Sequence, residues 1–130
     1  GGQRLWSDDR CRVVLTDEPF AGFCRVIWTA HVAEMTDLPP TERAHLMQVV
    51  FAVEAALRAR LAPAKINLAS LGNWVPHLHW HVVPRFADDS HFPHPVWGPP
   101  QRAGTARPLP DDLTAALRGD LAAVLGPAAG

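Results

Sequence analysis

The stretch HLHWHVVPRF, residues 77–86, sets three histidines on alternate positions and follows them with two valines and a proline. Alternation suits a strand, whose successive side chains point to opposite faces. His77, His79 and His81 would then share one face, spread over about 14 Å at roughly 3.4 Å per residue. Leu78, Trp80 and Val82 would fill the other. Three imidazoles in five residues exceed what a solvated face needs and carry too much titratable polarity for an apolar core. Taken alone, the pattern leaves two chemistries open: a metal site, since neutral imidazole is a favoured ligand and two histidines two apart on a strand can share one ion, and a catalytic strand.

Working outward, "KINLASLG" (65–72) reads as a second strand, joined to the histidine strand by the turn-like "GNWVP". Upstream, Cys11 to Thr16 and Phe23 to Thr29 are rich in β-branched and aromatic residues and read as a hairpin around "DEPFAG". Leu5-Trp6 reads as a short edge strand. Residues His31 to Leu38 read as a short helix stopped by Pro39-Pro40. From Pro40 to Leu61 the apolar residues Leu46, Val49, Val50, Val53, Leu57 and Leu61 recur at three- and four-residue steps, the spacing of an amphipathic helix that Pro63 ends. Residues 87–110 form a proline- and glycine-rich arm. Residues 111–126 read as a second helix with Gly126 near its C-cap. The expected class is α+β: an antiparallel sheet of about five strands, one long helix on a face, and a C-terminal helix.

A chain of 130 residues is the size of one domain, so residues 1–130 are read as a single unit. With 48% of residues apolar and a formal net charge of −1, the chain is neither disordered in character nor a nonspecific binder of nucleic-acid polymers, which needs a basic run. Cys11 and Cys24 lie in apolar β-rich segments and are expected buried and reduced. No apolar run long enough to span a membrane and no leader pattern are seen, so a soluble cytoplasmic protein is expected. Because the chain opens on Gly1, the expectation allows for residues upstream.

The run His77-Leu78-His79-Trp80-His81-Val82-Val83, continued by "PRF", resembles the signature of the histidine triad (HIT) family of nucleotide hydrolases and transferases. The resemblance extends upstream through "DDRCRVVLTDEPFAGFCRVIWTAHVAEMTDL" and "KINLASLGNWVPH" and covers roughly residues 5 to 86. The arm and the last helix lie outside it. It implies a hydrolase that cleaves at the α-phosphate of dinucleoside polyphosphates or nucleoside phosphoramidates, with His79 as nucleophile and a covalent nucleotidyl-histidine intermediate. His77 and His81 would orient His79 and donate hydrogen bonds to phosphate oxygens. Histidine rather than glutamine at position 81 resembles the hydrolase branches. By the same resemblance Asn67, Gly72, Asn73, Trp74, Asp17 and Thr16 are nucleotide-binding candidates, and His31, His94 and Trp97 extend the set. Two positions depart from the family pattern: Phe23, where many relatives carry histidine, and Trp74, where several carry a serine.

The resemblance requires no cofactor or metal. A structural zinc is expected only with a Cys-x-x-Cys pair upstream of Gly1, His31 being a remaining ligand. It also implies a homodimer, which would cover exposed strand edges. Two other classes stay open: a non-catalytic nucleotide-binding regulatory module, and a metal-dependent hydrolase using the three histidines as ligands. Outside the site, His45 is read as a surface residue, Arg85 as an exposed strand-end arginine, and Trp28 and Trp80 as core or interface.

Overall fold

Apolar and β-branched residues at period two build three successive antiparallel strands, β1 (Gly2–Ser7), β2 (Cys11–Thr16) and β3 (Cys24–Trp28). The computed structural model describes residues 2–104 and 107–129; Thr105 and Ala106 of the arm, and the two terminal glycines, lie outside the described residues. Asp8 makes the β1–β2 turn, its Oδ1 accepting the backbone N–H groups of Arg10 and Cys11 at 2.8 Å each. After α1 (Pro40–Leu61), strands β4 (Lys65–Ala69) and β5 (His79–Arg85) return to the sheet, and α2 (Leu113–Leu125) closes the chain. The five strands run in the order β1-β2-β3-β5-β4, every neighbouring pair antiparallel.

One face of this sheet is the core. Cys11, Val13, Cys24, Val26, Trp28 and Val82 are buried there beneath Leu46, Val49, Val50, Val53 and Leu57 of α1, and Leu113, Leu117 and Leu121 of α2 join them. Each fully buried leucine contributes about 1.5–3 kcal/mol. Pro40 starts α1 at a position where the missing N–H costs nothing, and Ala62, left-handed at φ 47°, caps it before Pro63. No helix among the described residues is long and apolar enough to cross a membrane.

Four readings need correction. The helix expected over residues 31–38 shrinks to one 3-10 turn, Met35–Asp37. Val32 is drawn off by a tertiary contact, its carbonyl accepting the Leu78 N–H at 2.8 Å, while the Asp37 carboxylate takes the Glu34 N–H. The histidine strand begins at His79, so His77 stands before the ladder and not on it. His45 is hydrogen-bonded to the β1–β2 turn and not a free surface residue, its Nε2 donating to Asp8 Oδ2 at 2.8 Å.

Arg85 is the fourth correction: it is 2% exposed. Its Nε and Nη2 grip Asp89 at 2.9 and 3.1 Å, Nη1 donates to Asn67 Oδ1 at 2.9 Å, and Nη2 also reaches the His94 carbonyl at 2.8 Å. Burial alone would raise the Asp89 carboxyl, but Arg85 and the N–H groups of His91, Phe92 and Phe86 hold it down to about 2. Arg102 donates to the carbonyls of Asp89 and Phe92. Through these bonds residues 87–104 of the proline-rich arm form a strap tied to the end of β5.

Candidate functional site

The second sheet face carries the chemistry. Register sets Arg12 opposite Ile27 and Ile27 opposite His79, so these three form one row across β2, β3 and β5. Val14, Arg25 and His81 form the next. Beside these rows the loop 71–76 turns at Gly72, whose φ of +70° glycine adopts without strain, and raises Trp74 to 96% exposure at the rim. The result is a cleft of about 710 Å³ whose walls include all three triad histidines, Arg12, Arg25 and Trp97.

Hydrogen bonds fix the ring tautomers. The Nδ1 of His79 lies 2.5 Å from the His77 carbonyl and must carry a proton to make that bond, which leaves Nε2 with a free lone pair. His77 in turn donates from Nε2 to the Trp28 carbonyl, so its Nδ1 accepts from the Nδ1–H of His31 at 3.0 Å. For His81 the order is reversed: Nδ1 accepts from Arg25 Nε at 3.3 Å and Nε2 carries the hydrogen. One ring thus offers a lone pair and its neighbour, with centroids 4.9 Å apart, offers an N–H.

His81 is 6% exposed, and burial, His79 and Arg25 together push its pKa down to about 4, so it is neutral at pH 7. In the unfolded chain it protonates near 6.5. Between pH 6.5 and 4 the unfolded state therefore binds a proton that the folded state refuses, and the stability present above pH 6.5 is lost as pH falls through that window. The expected loss at pH 5 is about 2 kcal/mol. Urea midpoints at pH 7 and pH 5 check it: the drop should shrink in His81→Gln, and an equal drop in both proteins would refute it.

Of the residues expected at the site, Gly72, Asn73, Trp74, His77, His79, His81 and Trp97 line the cleft. His31 meets it through His77. Asn67 and His94 are both outside the lining: the Asn67 side-chain carbonyl and the His94 backbone carbonyl each accept from Arg85. Thr16 and Asp17 line a separate depression with Gly22 and Leu109, and Thr16 Oγ1 donates to the Phe23 carbonyl. Phe23, buried beside the cleft, packs edge-on against His81 at 5.6 Å, and Trp97 closes on His81 at 5.0 Å. Sequence reasoning missed Arg12, Arg25, Ile27 and Thr29. Their signal was the alternation of β2 and β3, which puts all four on the face opposite the buried cysteines.

Residues 2–88 match the HIT domain family. The chain belongs to the histidine triad family. Solved HIT-family structures agree along nearly the whole chain. A histidine triad protein of Sinorhizobium meliloti is 28% identical, with a TM-score of 0.73 over 95% of this chain and 90% of its own. One of Bradyrhizobium japonicum is 27% identical, with a TM-score of 0.77 over 92% and 90%. A zinc-bound histidine triad family protein of Mycobacterium smegmatis is 26% identical, with a TM-score of 0.66 over 95% and 86%. No curated protein matches the chain.

Among the described residues no donor set brings together the four ligands of a closed zinc site. His31 and His77 form a pair with each other. Asp8, Cys11 and His45 bring one ligand atom each within 4.8 Å of one another, the one such cluster among the described residues. Asp8 is already bound to two backbone N–H groups and His45, and burial pushes the Cys11 thiol up to about 12. Nor does the triad present three donors to one ion, since both ring nitrogens of His77 are engaged.

Proposed function

We propose that the chain is a nucleotide hydrolase that acts at an α-phosphate through a covalent intermediate on His79. The observation that carries this reading is the bond between His79 Nδ1 and the His77 carbonyl, because it places the single proton of the neutral ring on Nδ1 and leaves the lone pair on Nε2 of a residue that lines the cleft. In the first step Nε2 bonds to the α-phosphorus while the bond from phosphorus to the leaving group breaks. The His77 carbonyl holds the Nδ1–H of the resulting imidazolium. His81 lines the same cleft, and the Nε2–H of its neutral ring suits a phosphate oxygen on which charge develops; such a donor contributes several kcal/mol. Water then attacks phosphorus and gives up a proton to bulk water, the P–N bond breaks with its electron pair returning to Nε2, and His79 is again a neutral imidazole.

Trp97 beside His81, backed by the buried Phe23, supplies an aromatic wall for the nucleoside base. This reading includes a homodimer, supported by the open edge of β4 and by the exposed Phe51 and Val124 on neighbouring apolar surface, and light scattering in solution reports it.

Rapid acid-free quenching during turnover of diadenosine tetraphosphate, followed by intact mass, should show a fraction of the chain heavier by one adenylyl group. The adduct should map to His79. Turnover without any adduct under single-turnover conditions would overturn the covalent route, and nucleotide binding without turnover would make the chain a binding module.

A further inference from the structure

The two ends of the cleft differ. At the His81 end stand the rings of Trp97 and Phe23. At the His79 end the row ends in Arg12, two strand spacings or about 10 Å from His79 between backbones, a span that an extended arginine side chain largely crosses. Arg25 at the centre is committed: it donates to His81 and pairs with Glu18 at 2.8 Å. Arg12 is half-buried and makes no side-chain hydrogen bond or ion pair among the described residues, and no carboxylate lines the cleft. A guanidinium held in a cleft without an acid is matched to an anion that arrives from outside.

We propose that Arg12 binds the leaving group, and that the substrates are nucleoside phosphoanhydrides whose departing fragment carries phosphate. This deepens the nucleotide reading above and rests on it. With the base on the aromatic wall and the α-phosphate at His79 and His81, the next phosphate extends toward Arg12. As His79 Nε2 bonds to the α-phosphorus, the bond from phosphorus to the bridging oxygen breaks and the electron pair departs on that oxygen. An oxyanion beside a guanidinium needs no proton to leave. A departing amine does need one, and Trp74 offers no proton where several relatives place a serine.

The test measures binding and turnover on the full chain. By calorimetry with uncleavable α,β-methylene-ADP standing for ADP, the wild type should bind it about tenfold more tightly than AMP, the range of one charge-assisted contact. That advantage should fall to about threefold or less in Arg12→Gln and be partly kept in Arg12→Lys. The ratio of kcat/KM for diadenosine tetraphosphate over adenosine 5′-phosphoramidate should fall about tenfold in Arg12→Gln. An equal affinity of the wild type for ADP and AMP would overturn the role of Arg12 while leaving the nucleotide reading in place. So would an ADP advantage untouched in Arg12→Gln. Binding of neither nucleotide would overturn the nucleotide reading, and this inference with it.

Discussion

Replacing His79 with alanine is expected to lower turnover of a nucleoside phosphoanhydride by about 10⁴-fold or more, because the group that forms the covalent bond is gone. Stability should hardly change. His79 is half-exposed at the start of β5, and its ring bonds only to the neighbouring His77 carbonyl. The sharper form of the experiment is His79→Gly with free imidazole added, since the vacated space faces the cleft and a soluble imidazole can attack in place of the side chain. Turnover that rises with imidazole concentration would show that the missing function is nucleophilic. A loss below about tenfold in His79→Ala would exclude His79 as the nucleophile, whatever else it does.

Arg85→Ala is expected to cost about 3–5 kcal/mol of stability, the range for removing one partner of a buried pair. The effect is large because one guanidinium serves three partners: Asn67 on β4, Asp89 at the root of the arm, and the His94 carbonyl within it. Without it the Asp89 carboxylate loses its countercharge. Urea unfolding measures the cost, and Arg85→Lys should recover only part of it, since an ammonium cannot make the planar two-pronged contact with Asp89. The catalytic consequence is indirect: the arm carries Trp97 to its place 5.0 Å from His81, so KM should rise more than kcat falls. A loss under 1 kcal/mol would mean that the strap is held by its own turns.

How much of this was legible in advance differs from element to element. The bounds of α1 were, because Pro40 and Pro63 bracket an apolar spacing that no strand could satisfy. The triad was, because alternation on one strand is a local pattern. Arg12 and Arg25 were not, since their place beside the histidines depends on β3 pairing with β5 across some fifty intervening residues that include a helix and a strand. Arg85 looked like an ordinary strand-end cation for the same reason. Its partners come from β4 and from a proline-rich segment whose turns have no periodicity to read. The failed helix at 31–38 had adequate local propensity; a tertiary demand on Val32 and His31 outweighed it.

The first strand and the last helix finish one another. Trp6 Nε1 donates to the Gly126 carbonyl, the Ala129 N–H to the Ser7 carbonyl, and Arg118 to the Arg4 carbonyl, while Leu117 and Leu121 complete the core beside Leu5. On the ribosome β1 therefore emerges well before the helix that covers it. Until α2 clears the exit tunnel, β1 lacks its covering layer and Leu5 and Trp6 stay open to water, so nascent chains become protease-resistant only once α2 has emerged.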